Sequence, residues 1–212
     1  MEVRINKYLS EAGVCSRREA DRLLEEGRIT IDGVPAVMGS KVTLGQVVML
    51  DGKKVSKEEE TIVIAFNKPV GVVCTSAKEE KNNIIDYIGY EKRIYPVGRL
   101  DKESQGLILL TNDGEMMNRI LKTANNHEKE YVVTVNKPIN REFIEGMEKG
   151  VPILDTVTRK CKVYKVNDTT FRIILMQGLN RQIRRMCEYF GYKVKRLERI
   201  RIMNIHLNGI EQ

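Results

Sequence analysis

The chain has 212 residues, 42% hydrophobic and 31% charged, the balance of an ordinary globular protein of one large or two small domains. Its apolar runs all fall short of a membrane span, and Met1-Glu2-Val3-Arg4-Ile5-Asn6-Lys7 lacks the apolar centre of a signal peptide, so a cytoplasmic address is expected. A net charge of +7 and an isoelectric point near 9.2 favour a polyanionic partner, whereas the scattered Cys15, Cys74, Cys161 and Cys187 and the distant His127 and His206 suggest neither a redox pair nor a metal site.

In chain order, Ile5, Tyr8, Leu9 and Ala12 share one face of a helix over 4–13, with Gly13 to end it and Arg4 and Lys7 off that face. Ser16-Arg17-Arg18-Glu19 has capping-box spacing and opens a second helix. Ala20, Leu23 and Leu24 form its apolar side, Gly27 stops it, and Arg17, Arg18 and Arg22 are left to solvent. A helix start is already positive, so arginines there are favoured by an anion such as phosphate; a solvated charged face explains them equally well. Short strands over 28–31 and 47–50 run into Asp32-Gly33 and Asp51-Gly52 turns. Residues 1–55 therefore read as two helices and a small sheet, marginal alone but suited to a tethered binding module. The polar residues 56–61 read as a linker.

A second core opens with a buried strand over 62–66, closed by Asn67-Lys68-Pro69. Helices are expected over 82–90, over 115–122 with Met117, Ile120 and Leu121 inward, and over 140–150; strands are expected over 129–135, 160–166 and 171–176. In the stretch from Tyr95 to Gly114, Pro96 and Gly98 mark a bend, Leu107 to Leu110 is an all-apolar strand, and Asn112-Asp113-Gly114 is a turn able to start a helix. Asp101, two residues after Arg99, then lies on a polar loop beside the core, where chemistry commonly sits. An aspartate there is also an ordinary turn former. The last helix, over 181–190, has Ile183, Met186, Cys187 and Phe190 on its apolar face, with Arg181, Arg184 and Arg185 projecting from the other side. Lys193, Lys195, Arg196, Arg199 and Arg201 continue the positive charge.

Three motifs stand in a recognisable order: Gly98-Arg99-Leu100-Asp101 with Ser104-Gln105-Gly106-Leu107; Lys129-Glu130-Tyr131-Val132-Val133; and Gly178-Leu179-Asn180-Arg181-Gln182-Ile183-Arg184-Arg185-Met186. Together they resemble the bacterial RNA pseudouridine synthases of the RsuA/RluB/RluE/RluF family, nearest the RluF type, and residues 1–55 resemble the αL RNA-binding domain first known from a ribosomal small-subunit protein. The likeness covers nearly the whole chain. It implies an α+β protein: the αL-type domain over 1–55, a linker over 56–61, and a catalytic domain over 62–212 with a mixed, largely antiparallel sheet, flanking helices and a cleft across its middle. It also implies action on large-subunit ribosomal RNA, with tRNA as a second candidate substrate; nothing in the sequence indicates an oligomer, so a monomer is expected. The family usually continues with a segment containing glycine, tryptophan and arginine; here the chain has no tryptophan and ends at Asn208-Gly209-Ile210-Glu211-Gln212, so the expected catalytic domain lacks that tail.

The resemblance assigns roles. Asp101 matches the essential aspartate, Tyr131 the ring that packs on the target base, Arg184 the basic partner of the aspartate, and Arg99 an arginine near the RNA. RNA contacts are expected from Arg4, Lys7, Arg17, Arg18, Arg22, Arg99, Arg181 and Arg185. Forming pseudouridine breaks the ribose–nitrogen bond of uridine and rejoins the uracil through carbon 5; nothing is added or lost, so no cofactor and no metal is expected. An ionised carboxylate can act on the sugar as nucleophile or as base, and both routes stay open. An arginine partner favours its ionised form, and a tyrosine gives a flat platform for a flipped base. Two other readings fit parts of the chain: a non-catalytic RNA-binding ribosome-assembly factor, and a metal-dependent nuclease using Asp101 and Asp113, which would need further convergent carboxylates.

Overall fold

A computed structural model describes residues 2–56, 60–77, 79–122 and 126–211; positions 57–59 of the expected linker lie outside them. The chain forms two compact units, one of Met1–Ile62 with Tyr90–Ile94 and Asn112–Gly114, the other of Val63–Gly89, Tyr95–Thr111 and Glu115–Gln212. Among the described residues no helix is long and apolar enough to cross a membrane.

The first unit runs β1 (Val3–Arg4), α1 (Ile5–Glu11), α2 (Arg17–Glu25), β2 (Ile29–Ile31), β3 (Val34–Pro35), β4 (Lys41–Val42), β5 (Val48–Leu50) and β6 (Lys53–Lys54). The Ser16 side chain accepts from the Glu19 backbone N–H, so the expected cap starts α2. A four-stranded sheet, β3-β2-β5-β6, and a β1-β4 pair close over the helices. Both Asp-Gly pairs hold positive φ (50° and 81° at Asp32-Gly33, 50° and 75° at Asp51-Gly52), the backbone of a tight hairpin turn. Ile5, Leu9, Ala20, Leu23 and Leu24 bury their apolar faces against Ile29, Val42 and Val48.

The second unit runs β7 (Val63–Lys68), α3 (Ile84–Ile88), β8 (Tyr95–Val97), β9 (Gln105–Thr111), α4 (Gly114–Leu121), β10 (Lys129–Val135), α5 (Arg141–Lys149), β11 (Pro152–Ile153), β12 (Thr156–Val157), β13 (Lys162–Lys165), β14 (Thr170–Leu175), α6 (Gln182–Tyr189), β15 (Val194–Ile202) and β16 (Ile205–His206). Its main sheet has the order β13-β14-β10-β15-β9-β7, with β16 beside β15 and β8 beside β9. All its pairs are antiparallel except β15 with β9, which is parallel. The sheet is therefore mixed and largely antiparallel. Phe143 of α5 packs edge-on against Phe171 of β14 at 5.3 Å between ring centroids, fixing helix to sheet.

Three expectations need correction. The strand expected to close at Asn67-Lys68-Pro69 continues through Lys68, whose ammonium is fully buried and donates to the Pro69 and Val72 carbonyls at 2.8 Å each. A desolvated ammonium is tolerated because those carbonyls replace water; burial still pulls its pKa below the ordinary lysine range. Leu121 is exposed, not inward, because it ends α4 and its side chain lies beside Gly98 at the cleft; Met117 and Ile120 do pack against Val97, Leu107 and Leu109. The basic run from Lys193 is largely the nine-residue central strand β15, with Arg199 buried.

Gly106 shows why β15 can lie beside β9. It has φ of +103°, and a Cβ there would collide with the Arg199 backbone carbonyl. Only glycine permits that close approach.

Candidate active site

Asp101 sits on the short loop between β8 and β9, held from several sides. The Leu100 N–H donates to the buried Cys74 Sγ at 3.3 Å, the Gly71 N–H donates to the Lys102 carbonyl at 2.8 Å, and the Ser104 N–H closes a turn onto the Asp101 carbonyl at 3.0 Å. The buried Lys68 ammonium curls the 69–72 segment that supplies Gly71. Sequence reading missed this brace; a lysine before a proline at the end of an apolar strand was its one visible trace. The carboxylate itself remains one-third exposed, so it is oriented by its loop yet open to a ligand.

Arg184 does not project to solvent as the helix pattern suggested. Its side chain is only 10% exposed and turns from α6 toward the Asp101 loop. One terminal nitrogen, Nη2, donates to the Ser104 Oγ at 3.0 Å and to the Glu103 carbonyl at 3.2 Å. Its Nε lies 3.7 Å from Asp101 Oδ2, beyond a hydrogen bond, and is buried without an acceptor. The planar fork thus spends one arm on the loop backbone and points its charge at the carboxylate, a division lysine cannot make.

Arg181 precedes α6 with left-handed backbone, φ 50° and ψ 34°, an arrangement that costs a non-glycine residue about 1 kcal/mol. Its guanidinium meets Glu103 Oε2 at 3.0 Å and lies 4.0 Å from Asp101 Oδ2. That hydrogen bond holds the Glu103 carboxyl below the usual carboxylate range.

Tyr131, on β10, is buried at the wall of the same cleft, which Arg99, Asp101, Ser104, Arg181 and Arg184 also line. Tyr131 is paired with Arg199 across β15, whose guanidinium carbon lies 6.0 Å from the ring centroid. The fold therefore gathers Asp101, Tyr131, Arg184, Arg99 and Arg181 in one cleft. It does not bring Arg185 there: that side chain bonds the Asn180 carbonyl and Oδ1 at 3.1 and 3.2 Å. In the first unit Arg4, Arg17 and Arg18 are exposed, Lys7 pairs with Glu11 at 3.4 Å along α1, and Arg22 pairs with Glu19 and Glu26 along α2. Among the described residues no three histidine, cysteine, aspartate or glutamate side chains converge as a metal site.

A carboxylate steered by a buried guanidinium, beside a tyrosine ring in an open cleft lined by cations, can act on the sugar of an extruded nucleotide. Comparison with known proteins points the same way. Residues 62–189 match the family model of RNA pseudouridylate synthases, and residues 3–48 match the S4 domain model. The chain is 58% identical, over 98% of its length and 72% of the relative's, to the dual-specificity RNA pseudouridine synthase RluF of Escherichia coli strain K12. It is 32% identical, over 98% of its length and 88% of the relative's, to the ribosomal large subunit pseudouridine synthase B of Bacillus subtilis strain 168. A solved pseudouridylate synthase, 24% identical, shares the fold with a TM-score of 0.71 over 99% of this chain and 93% of its own. With a family model matching more than half of the chain and a 58% identical relative, the chain belongs to the RNA pseudouridine synthase family.

Proposed function

We propose that this chain converts a uridine of large-subunit ribosomal RNA to pseudouridine, and that a tRNA serves as a second substrate. The RluF relatives carry dual specificity in their name, and the Bacillus relative names the large subunit. The first 55 residues act as an RNA-binding domain, residues 56–61 as a linker, and residues 62–212 as the catalytic domain. Asp101 is the group that acts at the ribose carbon of the extruded uridine. The glycosidic carbon–nitrogen bond breaks, the uracil turns, and a carbon–carbon bond forms at carbon 5. The proton leaves carbon 5 and a nitrogen gains one, so the reaction balances without a co-reactant. Tyr131 supports the uracil ring, Arg184 holds its charge 3.7 Å from Asp101 and aims it, and Arg99 and Arg181 meet the RNA at the mouth. Arg4, Lys7, Arg17, Arg18, Arg22 and Arg185 add phosphate contacts, which position without specifying sequence.

The observation that carries this reading is the placement of Arg184 Nε 3.7 Å from Asp101 Oδ2 in a cleft walled by Tyr131. Its test is release of tritium from carbon 5 of labelled ribosomal RNA and tRNA by the wild type and by Asp101→Ala. Release by the wild type alone supports both the reaction and the role of Asp101. Wild-type turnover in Asp101→Ala would remove Asp101 from the chemistry.

A further inference from the structure

A second cavity shares Arg99, Tyr131 and Gly178 with the Asp101 cleft but does not include Asp101. Arg99, Lys122, Lys129 and Arg199 line it, among the described residues no carboxylate does, and most of the remaining wall is apolar. Lys129 and Arg199 have no ion pair among the described residues, although acidic residues lie close by in sequence. Glu128 and Glu130 flank Lys129, yet both give their carboxylates to Arg201, at 2.9 Å each, and Glu130 also meets Arg172 at 3.5 Å. The pleat of β10 explains the split. Lys129 and Tyr131 are two residues apart and share one face, while Glu130 turns to the other. Arg199 stands opposite Tyr131 on β15.

The two faces of this strand pair are thus charged unequally. On one, Arg172 and Arg201 are matched by carboxylates; on the other, Lys129 and Arg199 are not. Arg199 is 3% exposed, donates through Nε to the Leu107 carbonyl at 2.6 Å, and leaves Nη2 sealed without an acceptor. Lys129 is half-buried, and burial followed by the nearby Arg199 charge lowers its pKa. A buried, unmatched Arg199 beside a half-buried Lys129 is costly, and an anion that enters offsets this. Arg99, Lys122, Lys129 and Arg199 line the cavity beside His127 and Tyr131, so cationic donors predominate, which suits a phosphate better than a base edge.

We infer that this cavity is a phosphate subsite, taking a backbone phosphodiester next to the nucleotide presented to Asp101, with Lys129 and Arg99 as the contacting donors and Arg199 as the buried charge behind them. The location of that phosphate relative to the reacting uridine rests on the function proposed above. Arg199 also presses its charge on the Tyr131 ring, so phosphate capture and base support are built on the same strand pair.

The test uses the full chain and RNA randomly ethylated on its phosphates, separated into bound and unbound fractions. With wild-type protein, ethylation of one or two phosphates beside the modified uridine is expected to block binding. Lys129→Met should lose that interference and keep the rest, and the slope of log affinity against log salt should flatten by about 0.7–0.9, one phosphate contact. Lys129→Arg should restore both. Identical interference maps and salt slopes for wild type and Lys129→Met would overturn the subsite. Tritium release on unmodified RNA is scored separately: a Lys129-dependent phosphate without release would overturn the isomerase reading and leave an anion site, whereas release with no Lys129-dependent phosphate would do the reverse.

Discussion

Replacing Arg184 by methionine tests the central geometry most directly. The substitution keeps the helical propensity and much of the volume of a side chain that is 10% exposed. It removes two hydrogen bonds, to Ser104 Oγ at 3.0 Å and to the Glu103 carbonyl at 3.2 Å. It also removes a charge 3.7 Å from Asp101 Oδ2. At an effective dielectric near 20 that attraction is about 4–5 kcal/mol gross. The carboxylate is one-third exposed and keeps some water, so the net loss falls to about 1–3 kcal/mol. If it is felt in the transition state, turnover drops about 5- to 150-fold. Folding stability changes less, because the buried guanidinium already leaves Nε without an acceptor and its loss relieves that cost. Single-turnover tritium release would give the chemical rate, filter binding the RNA affinity, and urea unfolding the stability. The reasoning predicts a fall in rate at saturating RNA with affinity within threefold. A fully folded Arg184→Met that kept wild-type turnover would refute the role assigned to Arg184, and Arg184→Lys should recover only part of the rate.

Gly106→Ala should cost about 2–4 kcal/mol in urea unfolding, since a Cβ meets the Arg199 backbone and φ is +103°. Lys68→Met leaves the Pro69 and Val72 carbonyls without their buried donor; a loss of about 2–3 kcal/mol is expected by the same assay, with a slower chemical step because the brace on the Asp101 loop loosens. The lowered pKa of Lys129 predicts a pH effect whose sign is fixed: the unfolded chain binds the proton more tightly, so the wild type gains stability relative to Lys129→Met as pH rises from the folded pKa toward the ordinary lysine value. Parallel denaturation curves of the two proteins from neutral to alkaline pH would show it, and a constant difference would contradict it. Burial pushes the Cys187 thiol up to about 12, so native protein should leave Cys187 unalkylated by iodoacetamide at neutral pH, read by peptide mass mapping.

Much of the local structure was written in the residues. The apolar spacing of Ile5 and Leu9, the Ser16 cap, the two Asp-Gly turns, the all-apolar run from Leu107 and the span of β10 each report a preference that a few neighbouring residues satisfy among themselves. The three motifs carried the family and pointed to Asp101, Tyr131 and Arg184. What they could not carry was the environment of the charged groups. The residues of β15 read as a basic tail because a central strand is recognised by apolar runs, and here two of its arginines meet partners far away in the chain: Arg201 meets Glu128 and Glu130, and Arg199 the Leu107 carbonyl. Arg184 looked solvent-facing for the same reason, since the loop that receives it lies some eighty residues earlier. Local periodicity tells which side of an element is apolar; which charges are paired, which are buried and which are left to meet a ligand depends on sheet order and register, and those exist only once distant segments have come together.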